Sequence, residues 1–185
     1  DVDNGVIAHE YGHGVSTRLT GGPADSDCLW NDEQMGEGWS DWMALMLTME
    51  PGDQGTDARG IGTYVIDEPT TGLGIRPAPY STDMSVNNYT YGDLNNQNLI
   101  NESHDIGFLW ATMGWDMTWA LVNAHGFDPD MYHGNGGNNI AMKLMMDGLK
   151  LQPCSPGFVD GRNAILQADS IDLGGADACL IWNAF

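Results

Sequence analysis

The segment His9-Glu10-Tyr11-Gly12-His13 constrains this chain more than any other. It follows the apolar run Val6-Ile7-Ala8. Asp3 or Asn4 can cap a helix there, and Gly21-Gly22-Pro23 would stop it, so the pattern predicts a helix from about Asn4 to Leu19. Side chains four apart share one face of a helix. His9 and His13 can therefore offer two imidazoles to one metal ion, with Glu10 beside them to take a proton from an attacking water.

A catalytic zinc needs a third protein ligand and one open position. One arrangement takes a histidine six residues after the second, but position 19 is Leu and position 16 is Ser. Another takes a glutamate from the next helix. A second helix is expected from about Glu33 to Met49, ended by Pro51-Gly52, and it offers Glu37. Glycines flank Glu37 in an otherwise apolar helix, and a buried acid needs a partner. Asp41 lies one turn further on the same face. It can accept the N–H of a ligand histidine, His9 first, fixing its tautomer and raising its basicity.

The rest of the pattern is helical. Helices are expected over about Ser103–Ala124, Asn139–Leu151 and Phe158–Ala168, with a short last one over Ala176–Ala184. Residues 51–100 read as a long irregular loop rich in Pro, Gly and Asn, with one candidate strand at Ile61–Ile66. A loop of that length in a compact domain is usually functional. With 185 residues, no internal repeat and no linker, the chain reads as one mainly α unit, either one domain or one lobe of something larger.

Charge excludes whole classes of partner. Six Lys and Arg face 26 Asp and Glu, a net charge of −20. Nucleic acids and anionic membranes bind through clustered Lys and Arg, so neither is expected here. No run of about 18 apolar residues is present to cross a bilayer. Charged residues make up only 17%, so the acidity comes from a lack of bases, as in extracellular proteins exposed to salt or cold. The opening Asp1-Val2-Asp3-Asn4 carries no signal-peptide pattern and reads like the middle of a protein.

Five stretches, HEYGHGVSTRLTGGP (9–23), MGEGWSDWMA (35–44), GIRPAPYSTDMSVNNYTYGDL (74–94), HDIGFLWATMGWDM (104–117) and LKLQPCSPGFVDGRNAILQAD (149–169), cover most of the chain in order. In them the chain resembles the C-terminal half of the catalytic domain of a fungalysin-type secreted metallopeptidase, a thermolysin-like gluzincin. The resemblance implies the helical C-terminal lobe of that fold, with at most a short hairpin beside the loop. It implies zinc on His9, His13 and Glu37, Glu10 as general base, Asp41 behind a ligand histidine, and a secreted endopeptidase made with a propeptide. It also suggests a disulfide between Cys154 and Cys179, which would leave Cys28 free.

Other residues take their meaning from the same likeness. His104, near the start of the third helix, matches the histidine that stabilises the oxyanion in such enzymes. Read by itself it is equally an ordinary helix-terminus histidine. Relatives orient it with an acid, and Glu102 and Asp105 both qualify. Arg76 in the long loop is either a clamp on the substrate carbonyl after the cut or a structural ion pair. Tyr80, Tyr89 and Tyr91 share that loop as packing or cleft-lining residues, and Tyr11 is expected to pack. His125 and His133 read as loop histidines. Calcium is a second candidate cation, because Glu50, Asp53 and Asp57 cluster near where relatives bind it, although the D-x-D-x-D-G pattern is absent.

Thermolysin-like enzymes also carry a β-rich N-terminal lobe that these residues do not include. One face of the first helix would then be uncovered, and some of the seven Trp and eleven Met could belong to surface meant for that lobe. The expected function is a zinc-dependent endopeptidase acting on protein or peptide substrates. The alternative is a zinc-binding lobe with little activity alone, working with an N-terminal lobe or propeptide. An aminopeptidase with the same ligands is a third reading, without a recognisable site for a terminal amine.

Overall fold

A computed structural model describes residues 2–98 and 100–185. Among them run six α-helices: α1 (Asn4–Leu19), α2 (Gly36–Leu47), α3 (Ser103–His125), α4 (Gly137–Leu151), α5 (Phe158–Leu173) and α6 (Ala178–Ala184). A 3-10 turn covers Tyr91–Asn95. The fold is mainly α, as expected for the helical lobe of a thermolysin-like metallopeptidase. No described helix is long and apolar enough to cross a membrane.

Local chemistry sets the ends of α1. Asp3 caps it by accepting the Val6 N–H at 3.0 Å, and Arg18 sits in the last turn, where its charge complements the helix dipole. α2 is shorter than its apolar pattern suggested. Residues 33–35 stay outside it, and the Glu33 carboxylate accepts the Phe158 N–H at the start of α5, at 2.6 Å. α5 is longer than expected and stops where Gly174 turns into the left-handed region at φ 69.

α2 and α3 form the buried centre, and α1, α4 and α5 pack around them. Trp39 lies against Trp110, with ring centroids 5.0 Å apart. Trp42 donates its indole N–H to Thr118 at 2.9 Å, so its one polar atom is satisfied inside the core. Five of the seven Trp are buried here, at positions 39, 42, 110, 115 and 119, so they serve this lobe's own core. Trp30 and Trp182 are exposed.

Two close approaches bring the helices together where the motif residues lie. A Cβ on Gly12 would sit 2.8 Å from the Ser40 Cα, so α1 rests directly on α2. Gly38 and Gly107 face each other between α2 and α3. A Cβ on Gly107 would come within 2.5 Å of both the Glu37 Cβ and the Gly38 nitrogen. Any side chain at these places would push His9, Glu37 and His104 apart.

The candidate strand at Ile61–Ile66 does not form. Those residues make turns closed locally by the Glu68 N–H on the Thr63 carbonyl at 2.8 Å, and Asp67 takes φ 60. A strand needs a ladder partner, and the described chain supplies only an isolated antiparallel bridge between Arg59 and Tyr80.

The disulfide also differs from expectation. Cys28 is bonded to Cys154, and Cys179 is the free, exposed cysteine. The α1–α2 loop lies on the α4–α5 turn: Ser155 N–H donates to the Cys28 carbonyl at 2.8 Å, Asn31 to the Pro156 carbonyl at 2.9 Å, and Gln152 to Thr20 at 2.7 Å. That docking carries Cys28 to Cys154, while α5 carries Cys179 away.

Tyr11 is another correction. It is 71% exposed and, with Ile7, lies on an uncovered face of α1.

Candidate metal centre

Three helices deliver the site. α1 turns His9 and His13 to one side, and their Nε2 atoms lie 3.1 Å apart. α2 brings the Glu37 carboxylate between them, with Oε2 at 3.2 Å from His9 Nε2 and Oε1 at 3.4 Å from His13 Nε2. Ligand atoms of His9, His13 and Glu37 all lie within 4.8 Å of one another. The His9 ring is buried and the His13 ring half-buried, so the cluster opens to solvent on one side.

Asp41 sits behind His9. Its Oδ1 is 2.7 Å from His9 Nδ1, so that nitrogen carries a proton and Nε2 is the atom that faces His13 and Glu37, open to a cation once its own proton is given up. Asp41 is wholly buried, and Arg76 answers its charge: Nε donates to Oδ2 at 2.6 Å and Nη2 to Oδ1 at 2.9 Å. Of the two roles open to Arg76 in the sequence, this geometry realises the ion pair. Its Nη2 is also 3.5 Å from Glu37.

The charges are tuned by these contacts. Burial works to lower the pKa of His9, but hydrogen bonds to Asp41 and Glu37 outweigh it and bring the ring to about 9 without a cation. Burial lowers the His13 pKa, opposed by Glu37. For Asp41 burial acts to raise the pKa, and the bonds from His9 and Arg76 more than reverse it. Glu37 is likewise held below the usual carboxylate range against burial by the His9 bond and the charges of His13 and His104.

α3 presents His104 at its first turn. Glu102, the cap of that helix, accepts its backbone N–H at 3.2 Å and approaches the ring Nδ1 at 2.6 Å. Asp105 instead accepts the Asn101 N–H at 3.4 Å, so Glu102 is the acid beside the ring. The His104 Nε2 reaches within 3.4 Å of Glu37 Oε2. Glu10 follows His9 on α1 with its carboxylate in solvent, and its charge acts on His13.

The remaining candidates lie elsewhere. His125 closes α3 and pairs with Asp177 at 2.7 Å, and His133 is an exposed loop residue near Asp130. At the calcium candidates, Asp53 is paired with Arg59 at 2.7 Å and accepts the Glu50 N–H, while Asp57 accepts the Gln54 N–H. Among the described residues these carboxylates do not converge as the His9 cluster does. Sequence reasoning named Tyr80 only as a packing or cleft-lining residue and missed that its hydroxyl donates to Asp41 Oδ2 at 2.6 Å. No local pattern marks it, because the two residues are 39 positions apart.

The donor set suits zinc: two imidazoles and a carboxylate, one imidazole oriented from behind, and one side left open. A helical lobe with such a cluster is a candidate metal centre of the peptidase kind. A family model described as Fungalysin metallopeptidase (M36) matches residues 1–185, and the chain belongs to that family. It is 46% identical to Extracellular metalloproteinase MEP of Neosartorya fischeri and 44% identical to Extracellular metalloproteinase mep of Aspergillus fumigatus, over 98% of this chain in each case. It is 42% identical to Extracellular metalloproteinase 3 of Arthroderma otae over 100% of the chain. The chain spans 29% of the length of each of these relatives.

Proposed function

We propose that this chain is the metal-binding lobe of a secreted zinc endopeptidase that hydrolyses peptide bonds in proteins. The observation that carries the reading is the convergence of His9, His13 and Glu37, with His9 Nδ1 held by Asp41. The family and the extracellular relatives support it.

A zinc ion held by His9, His13 and Glu37 would supply Lewis-acid polarisation of water and of the scissile carbonyl. Glu10 takes the proton of the attacking water and passes it to the leaving amine. His104 donates from Nε2 to the developing oxyanion. Its Nδ1 lies 2.6 Å from Glu102, which fixes the direction in which Nε2 points. Asp41 keeps His9 in the ligand tautomer, and Arg76 holds Asp41. Arg76 is also the candidate clamp on the substrate carbonyl after the cut, with Nε and Nη2 already on Asp41.

The test is hydrolysis of casein or a quenched peptide, with Glu10→Gln and 1,10-phenanthroline as controls. Loss of cutting in both supports the reading. The second reading is a lobe that binds zinc but cuts poorly alone, favoured by the exposed Ile7 and Tyr11 on α1. It predicts one bound zinc per chain and little turnover until the covering lobe is supplied.

A further inference from the structure

The buried carboxylate of Asp41 receives four hydrogen bonds, two on each oxygen. His9 Nδ1 and Arg76 Nη2 meet Oδ1 at 2.7 and 2.9 Å, and Arg76 Nε and the Tyr80 hydroxyl meet Oδ2, each at 2.6 Å. The torsion that turns a carboxylate about its last bond is broad and nearly two-fold. A carboxylate tied to His9 alone could therefore swing and let the ring follow. Donors on Oδ2 fix its plane, and with it the direction in which His9 offers Nε2.

Tyr80 is built to be such a donor. The side chain is fully buried, its ring lies 5.2 Å from Phe108 on α3, and its backbone exchanges two bonds with Arg59 at 2.8 and 2.9 Å. Arg59 in turn donates to the Thr48 carbonyl at the end of α2, at 3.0 Å. Tyr80 is thus fastened to the helix that carries Glu37 and Asp41 and to the helix that carries His104. A phenylalanine would fill the same space, so the hydroxyl needs its own reason in a buried site, and it donates its proton to Asp41.

We propose that Tyr80 is a positioning residue of the metal centre: its hydroxyl holds Asp41, and through Asp41 the His9 ring, in the orientation that presents Nε2 to the cation. The proposal rests on His9, His13 and Glu37 being the zinc ligands. Removing a direct partner of a ligand histidine commonly weakens metal binding about 10- to 100-fold, so one step further out the expected loss is about 3- to 10-fold.

The experiment measures Zn2+ affinity by competition with a chromophoric chelator in the full-length protein, for wild type, His9→Ala, Tyr80→Phe, Asp41→Asn and the Tyr80→Phe/Asp41→Asn double variant. Folding of each is checked by circular dichroism. The expected result is a loss of that size in Tyr80→Phe, which disappears when Asp41 is already Asn. A Tyr80→Phe protein that is folded and binds Zn2+ within twofold of wild type, while His9→Ala does not bind, overturns this inference alone. Wild-type affinity in His9→Ala overturns the ligand assignment and this inference with it. Tyr80→Met, a second side chain without a hydroxyl, serves if the Phe variant does not fold, with the same limits.

Discussion

His9 Nδ1 and Asp41 Oδ1 lie 2.7 Å apart, joining two helices through one buried hydrogen bond. The bond decides which nitrogen of His9 a cation would meet. Asp41→Asn keeps the shape and removes the charge. Zn2+ affinity should fall about 10- to 100-fold, as read by chelator competition. Asp41→Ala strands Arg76 and Tyr80 as well and should cost about 3–5 kcal/mol in denaturant unfolding. Wild-type zinc affinity in both variants would remove Asp41 from the site.

The metal-free protein should lose stability as the solution turns alkaline. His9 has its pKa raised to about 9 in the folded state, above its ordinary 6.5. Its contribution, about 3 kcal/mol, is therefore complete below pH 6.5 and lost as pH rises through 9. Asp41 shifts the other way, so its contribution holds above the usual aspartate range and fades as pH falls through its lowered pKa. Zinc competes with protons for the same nitrogen, so stabilisation by added zinc should grow with pH. Thermal melts of apo and zinc-loaded protein from pH 6 to 9.5 check the His9 and zinc trends, and melts of the apo protein at falling acid pH check that of Asp41.

Non-reducing peptide mapping should recover Cys28 linked to Cys154, with Cys179 open to alkylation. The two linked cysteines are 126 positions apart. In the chain-entropy model a loop of that size is worth about 4–5 kcal/mol, so the double Ser variant should melt well below wild type. Recovery of a Cys154–Cys179 peptide would contradict this pairing.

Gly107→Ala places a methyl against Glu37 and Gly38. The helices must separate to admit it, which should cost about 1–3 kcal/mol in urea unfolding. His104 would move away from Glu37, so turnover should fall by more than zinc affinity does. Equal activity and stability would mean that α3 shifts freely on α2.

What the chain shows by itself is the part carried by short range. The first helix ends where its cap and glycines said, because Asp3 and Val6 are neighbours in sequence. His9 and His13 share a face because helical geometry puts residues four apart together. Glu37 and Asp41 were legible for the same reason, one turn apart on one helix. Tertiary structure decided the rest. The choice of Glu102 over Asp105 beside His104 depends on rotamers at one helix start. Arg76 and Tyr80 reach Asp41 from 35 and 39 positions away, across a loop without periodicity. Three cysteines allow three pairings, and the choice came from the α1–α2 loop docking on the α4–α5 turn. Local pattern encodes which face a residue takes on its own element. Which elements meet is set by burial of the whole core, and no window of sequence contains that.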